Sequence, residues 1–265
     1  MKISIYQMEL IPGNPVQNQK KVQAWVEQES KSSNPDVIIL PEMWTTSYTL
    51  DKIHEFADDN GNTTIPFLQN LALTYEVNIV GGSFANNIDG KIYNTAVVIN
   101  RKGEVVYQYN KVHLVPMLDE PKYLAGGDKV PELFEIDGIK MGLVICYDLR
   151  FPEIIRPLAL EGAEVLFIVA EWPIARIKHW ENLQITRAIE NQMFVVSCNN
   201  VGTYVNETFS GKSMIINPWG DILVKGSTDT EETVSTTINI EEVQEVRQKV
   251  PIFKSRVPNL YKYNI

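Results

Sequence analysis

Short apolar runs, too short for helices and too continuous for a solvated sheet face, recur along the whole 265-residue chain. Residues 3–7, 36–40 and 140–145 open or end near Gly, Pro or Asn, as buried strands do. Residues 77–82, 95–100, 104–109, 164–169, 194–197 and 214–216 have the same character, while 233–238 alternates with the period of a half-buried strand. Helical patterns fall between them. Asn14 offers an N-cap before Pro15, with Val22, Trp25 and Val26 on one face. Further helices are expected over 66–75, 179–191 and 240–250. Strands interleaved with helices call for α/β layers, and the pair 92–100 and 104–109 around Arg101-Lys102-Gly103 adds a hairpin, so the sheet is mixed. No repeat, charge block or low-complexity linker divides the chain, which reads as one domain over 1–265.

Composition removes several function classes. The chain carries 24 Lys+Arg against 33 Asp+Glu, a net charge of −9, and so has no basic stripe for nucleic acid or an anionic membrane. Its longest purely apolar stretch, Val165 to Ala170, is far short of a membrane span. The N-terminus shows no apolar secretory segment, and Cys146 and Cys198 are too few for a disulfide framework. A cytoplasmic, metal-free protein is expected. His54, His113 and His179 are scattered without ligand spacing, each an ordinary polar or supporting histidine rather than a metal ligand. Gly211-Lys212-Ser213 imitates the end of a P-loop, but Asn206 stands where the first glycine belongs.

Three apolar strands end abruptly in chemically capable residues. The run ending Leu40-Pro41 meets Glu42, the run ending Tyr109 meets Asn110 and Lys111, and the run ending Ile145 meets Cys146. Ligands in α/β sheets collect beyond the carboxyl ends of strands, so these three are expected to converge on one crevice. Cys146 precedes Tyr147 and, six residues on, Pro152 at a helix N1 position; an adjacent helix N-terminus favours the thiolate. An inert core cysteine is the bland alternative, and Cys198 reads as core. Glu42, framed by Leu40, Pro41, Met43 and Trp44, would be desolvated and tuned toward general-base work. Lys111, entering Val112-His113-Leu114, would need an anionic partner once buried.

Pro41-Glu42-Met43-Trp44, Asn110-Lys111-Val112-His113-Leu114 and Cys146-Tyr147-Asp148-Leu149-Arg150-Phe151-Pro152-Glu153 resemble the three signature blocks of the nitrilase (carbon–nitrogen hydrolase) superfamily, in its chain order. Arg187 to Gln192, Asn217-Pro218-Trp219-Gly220 and the closing Arg247, Pro251, Arg256 and Leu260-Tyr261 are similar too. The resemblance implies a four-layer α-β-β-α sandwich that dimerises through a helical face, with the segment 247–265 packing at the subunit interface. It implies hydrolysis of a non-peptide C–N bond without metal or cofactor. Trp172-Pro173-Ile174-Ala175-Arg176, Trp180 and Met117-Leu118-Asp119-Glu120 are similar to bacterial omega-amidases, which cleave the terminal amide of 2-oxo acid amides such as 2-oxoglutaramate and 2-oxosuccinamate. Glu171 departs from that branch, where a neutral amide or small residue is usual, and an extra carboxylate there opposes an anionic substrate.

In the roles so implied, Glu42 is general base, Cys146 nucleophile, Lys111 and the Tyr147 backbone N–H the oxyanion donors, and Glu120 orients Lys111 or substrate. A solvated loop acid is the alternative for Glu120. Arg176 is the candidate partner for a substrate carboxylate, or else a surface or inter-subunit ion pair. Trp172 and Tyr48 are candidate walls for the acyl chain. Arg150 with Glu153, and Arg187 with Glu190, read as ion pairs at helical i, i+3 spacing. Another small amide, a carbamoyl amine or a nitrile is the alternative substrate, and an idle binding homologue the alternative role.

Overall fold

In the computed structural model, which describes residues 1–261, the apolar runs pair into two mixed sheets. The first runs Glu232–Thr237, Lys2–Gln7, Val37–Ile39, Asn78–Ile88, Lys91–Ile99, Val105–Asn110, with Asp58–Asp59 beside Asn78–Ile88. The second runs Ile222–Lys225, Met214–Ile216, Phe194–Asn199, Val165–Ala170, Ile139–Ile145, Phe134–Ile136. Both are parallel at the centre and antiparallel toward the edges. Central parallel strands must be covered on both faces, and their side chains divide by parity accordingly. Ile3, Ile5, Val37, Ile39 and Val80 join one core with Ile145, Val169 and Val196 of the second sheet. Tyr6, Ile38, Leu40 and Ile79, on the opposite face, pack with Val22, Trp25, Val26, Leu68 and Leu71 of the helices Pro15–Ser33 and Thr64–Tyr75. The helices Pro152–Leu160 and Ile177–Asn191 pack against the second sheet, which completes an α-β-β-α sandwich.

The first helix starts as its cap requires, with the Asn14 side chain accepting the Gln17 N–H at 3.2 Å. Unforeseen are the short strand Phe134–Ile136, the edge strand Ile222–Lys225 and the hairpin Val201–Tyr204 with Glu207–Ser210. The edge strand is short and largely exposed, its apolar run being only the three residues Ile222-Leu223-Val224. The hairpin turn Val205-Asn206 holds Val205 at φ +52° and carries no glycine, so it lacks the Asn-Gly or Gly-led signature of a two-residue hairpin. Among the described residues no helix is long and apolar enough to cross a membrane. Of the segment 247–265 expected at a subunit contact, residues 262–265 lie outside the described residues.

Candidate active site

Glu42 follows the strand Val37–Ile39 through Leu40-Pro41 and is held by the neighbouring strand. The Ser83 N–H donates to Pro41 O (3.1 Å), the Met43 N–H to Ser83 Oγ (2.9 Å) and the Trp44 N–H to Ser83 O (3.0 Å). This close approach depends on Gly82 at φ +60°, where a Cβ would lie 2.0 Å from Pro41 O. Cys146 begins a 3-10 turn, Cys146–Arg150, directly after the strand Ile139–Ile145, with φ +47°. A non-glycine residue in that region stores about 1–3 kcal/mol of strain. Asp148 secures the turn. Its Oδ2 accepts Tyr109 OH (2.8 Å) and the Ile145 N–H (3.2 Å), and its Oδ1 meets His113 Nδ1 (2.8 Å). His113 also stacks on Phe151 at 3.6 Å, so the loop after Lys111 is tied to the turn that carries Cys146. From the far side, Arg187 donates to Leu149 O (2.9 Å).

Glu42, Lys111 and Glu120 are fully buried and mutually bonded. Lys111 Nζ donates to Glu42 Oε1 (2.9 Å) and Glu120 Oε1 (2.8 Å). Glu42 Oε1 also accepts from Asn94 (2.7 Å), and Oε2 accepts the Glu171 backbone N–H (2.8 Å). Glu120 Oε2 accepts the Val115 N–H (2.7 Å). The Cys146 thiol lies within the electrostatic reach of Glu42, Lys111 and Glu120. Burial opposes the charge on Lys111, but Glu120 and Glu42 outweigh it and hold the ammonium well above its usual range. Burial pushes the Glu120 carboxyl up against the pull of Lys111. The Cys146 thiol is driven well above its ordinary range by burial and then by Glu42, with Lys111 opposing. The favouring of the thiolate expected from a helix N-terminus is outweighed here by burial. The helix Pro152–Leu160 begins six residues beyond Cys146, too far for its dipole to offset desolvation.

Sequence-selected residues gather here with two changes of place. Cys146, Tyr147, Trp172 and Arg176 line one narrow cleft, together with Glu171 and Val115. Tyr48, expected as a wall of that cleft, sits behind it, its hydroxyl 2.5 Å from Glu120 Oε1 and 3.1 Å from Glu42 Oε1. An aromatic ring marks apolar packing in a sequence, but here the hydroxyl donates to the buried carboxylates of Glu120 and Glu42. Arg150 is not paired with Glu153, because it precedes the helix and the i, i+3 geometry does not apply. Its guanidinium instead lies 4.8 Å from the Trp172 ring and lines the cleft. Arg187 does pair with Glu190, at 2.6 Å. Glu120 is no solvated loop acid, and Cys198 is core. Asn94, Ser83 and Asp148 were not singled out. Asp148 alone had a sequence cue, its place between Cys146 and Pro152.

Two sheets sharing one core, with a carboxylate–ammonium–thiol cluster at the strand ends, define an enzyme of nitrilase fold. The chain belongs to the carbon–nitrogen hydrolase family, whose profile matches residues 2–248. It is 42% identical over 259 residues to a 2-oxoglutaramate amidase of Bacillus subtilis, covering 98% of each chain. It is 47% identical over 232 residues to a hydrolase in the agr operon of Staphylococcus lugdunensis, covering 87% of this chain and 99% of that one. A carbon–nitrogen hydrolase superfamily protein from Xanthomonas campestris, solved with an arsenic adduct in its active site, superposes with a TM-score of 0.89 at 28% identity and 97% coverage of both chains.

Proposed function

We propose that this enzyme is an omega-amidase, hydrolysing the terminal amide of a small 2-oxo acid such as 2-oxoglutaramate through a thioester on Cys146. The observation that carries the reading is at the cleft mouth. Arg150 and Arg176 both line it, and among the described residues neither forms an ion pair with a carboxylate. Burial, joined by the like charge of Arg176, lowers the Arg150 pKa. Two crowded guanidiniums beside a nucleophile suit an amide that carries its own carboxylate. The Bacillus subtilis relative's name supports the same substrate.

In the mechanism, Glu42 takes the Cys146 proton as sulfur attacks the amide carbonyl. The oxyanion is met by the Lys111 ammonium and the Tyr147 N–H, which by position in the first turn of its 3-10 helix lacks an intrahelical partner. Glu120 and Tyr48 hold Lys111 in place. Glu42 returns the proton to the departing ammonia, then takes one from the water that hydrolyses the thioester. The same reading has a single-domain, cytoplasmic homodimer formed through the helical face. Leu160, exposed at the end of the helix Pro152–Leu160 and sharing a groove with Pro157 and Arg256, supports that surface.

Ammonia release tests the reading, with 2-oxoglutaramate set against glutamine, a carbamoyl amine and a simple nitrile. Turnover of 2-oxoglutaramate that exceeds the comparators and vanishes in Cys146→Ala sustains it. A comparator preferred over 2-oxoglutaramate, or activity surviving the substitution, sinks it. Arg176→Ala is expected to raise KM about 10–100-fold with a smaller change in kcat, the scale of one charge-assisted contact.

A further inference from the structure

Glu171 follows the strand Val165–Ala170, is fully buried and lines the cleft beside Cys146 and Trp172. Its two carboxyl oxygens differ. Oε1 accepts from Ser47 Oγ at 2.8 Å and from Asn200 Nδ2 at 2.8 Å. Oε2 is buried and has no hydrogen-bond partner among the described residues. Lys111, whose positive charge favours the ionised form of Glu171, is already shared by Glu42 and Glu120. Burial, reinforced by the charge of Glu42, drives this carboxyl well above the ordinary glutamate range. Because Oε1 is committed as an acceptor twice over, the proton of the neutral acid belongs on Oε2. A buried O–H without an acceptor is an unmet donor.

We propose that Glu171 is a specificity-determining residue that donates this Oε2 hydrogen bond to a neutral oxygen on the acyl part of the substrate. Resting on the omega-amidase reading, that oxygen is the 2-oxo carbonyl, with the carboxylate left to Arg150 and Arg176. The assignment resolves an apparent conflict, since an ionised glutamate beside an anionic substrate would repel it and a neutral one does not. It also carries a chemical preference. A 2-oxo group offers lone pairs to the donor, whereas the α-ammonium of an amino acid amide offers only further donors. Rejection of a group that leaves a buried donor unpaired is the stronger form of discrimination.

The experiment compares kcat/KM for 2-oxoglutaramate with that for glutaric acid monoamide, the same chain with a methylene in place of the ketone. Wild type, Glu171→Gln and Glu171→Ala are measured side by side. The glutamine carboxamide keeps an acceptor for Ser47 and Asn200 and presents N–H where Oε2–H stood. The wild type is expected to prefer the 2-oxo substrate. That ratio falls tenfold or more in Glu171→Ala and stays within about threefold of wild type in Glu171→Gln. A ratio unmoved in Glu171→Ala, or lost equally in Glu171→Gln, overturns the inference. Wild type without 2-oxoglutaramate turnover overturns the substrate reading and this inference together. Turnover with an unmoved ratio overturns this inference alone.

Discussion

The molecule holds two buried thiols at nearly the same level of one sheet. Ile145 pairs with Val169, and Val169 with Cys198, so Cys198 stands two strands away from the residue just before Cys146. Burial is the first cause that pushes each thiol well above its ordinary range. What separates them is the backbone and the company. Cys198 lies inside the strand Phe194–Asn199, with Sγ 3.2 Å from Tyr6 O, a sheet-to-sheet contact that packs and does nothing else. Cys146 lies one residue past its strand, turned by a positive φ toward Glu42 and Lys111. A buried cysteine is inert by default. In the proposed mechanism a strained turn and a nearby proton acceptor fit Cys146 to act as the nucleophile.

The largest effect tests that contrast directly. Cys146→Ala is expected to lower kcat/KM about 10⁴-fold or more, as loss of a nucleophile does. Cys198→Ala leaves kcat within about twofold and costs on the order of 1 kcal/mol of stability for the atoms it removes. Comparable losses of activity in both variants would erase the distinction. Next in size is Lys111→Met. Removing an oxyanion donor costs about 10²–10³ in kcat. It also strands Glu42 and Glu120 as buried carboxylates, for which about 3–5 kcal/mol of unfolding free energy is lost. Steady-state kinetics and a urea titration read the two effects separately.

The sequence carried the strand ends and little of what surrounds them. Glu42, Lys111 and Cys146 each follow a continuous apolar run, and burial of both faces of a central strand forces such a run whatever the fold around it. Their convergence was legible because ligands collect beyond the carboxyl ends of strands, although the strands belong to two facing sheets. The supports were not. Asn94 sits inside the strand Lys91–Ile99, where an asparagine reads as a weak strand former, and only the packing of the sheets brings it to Glu42. Tyr48 and Arg150 were misplaced because their partners lie 72 and 22 residues away in the chain, on Glu120 and Trp172. Local spacing cannot report a partner of that kind. Glu171 did stand out, as an acid in the wrong place, but only three-dimensional neighbours show which of its oxygens is free.

A smaller effect sharpens the contrast by pH. In the native protein, iodoacetamide is expected to label Cys146 and to reach Cys198 only after denaturation, because the cleft opens onto one thiol alone. The thiolate is the reacting form, so the labelling rate rises with pH through the raised Cys146 pKa. Glu42 contributes to that rise through its negative charge. Glu42→Gln therefore moves the midpoint of the labelling profile down, while amide hydrolysis collapses for want of a base. A midpoint that stays in place or moves up would mean that Glu42 and the thiol are not coupled.

The smallest effect is one in which the two cysteines should behave alike. A thiol protonated in the folded state and free to ionise in the unfolded chain gives full stability below the unfolded pKa, about 8.5. As pH rises past that value the unfolded state loses its proton first, so unfolding becomes easier until the raised folded pKa is reached. Each such thiol contributes a slope of about 1.4 kcal/mol per pH unit in that window. Both thiols are raised by burial, so both contribute. Removing Cys198 should flatten the fall in stability between pH 9 and 10.5 by one such increment, and removing Cys146 should do the same. Urea melts across that range measure it. Equal relief from the two substitutions, set beside their unequal effect on turnover, would separate burial, which the cysteines share, from the Glu42–Lys111 pair, which belongs to one. Relief from only one would mean that the other thiol is not held protonated by burial, and the contrast would have to be redrawn from solvent access instead.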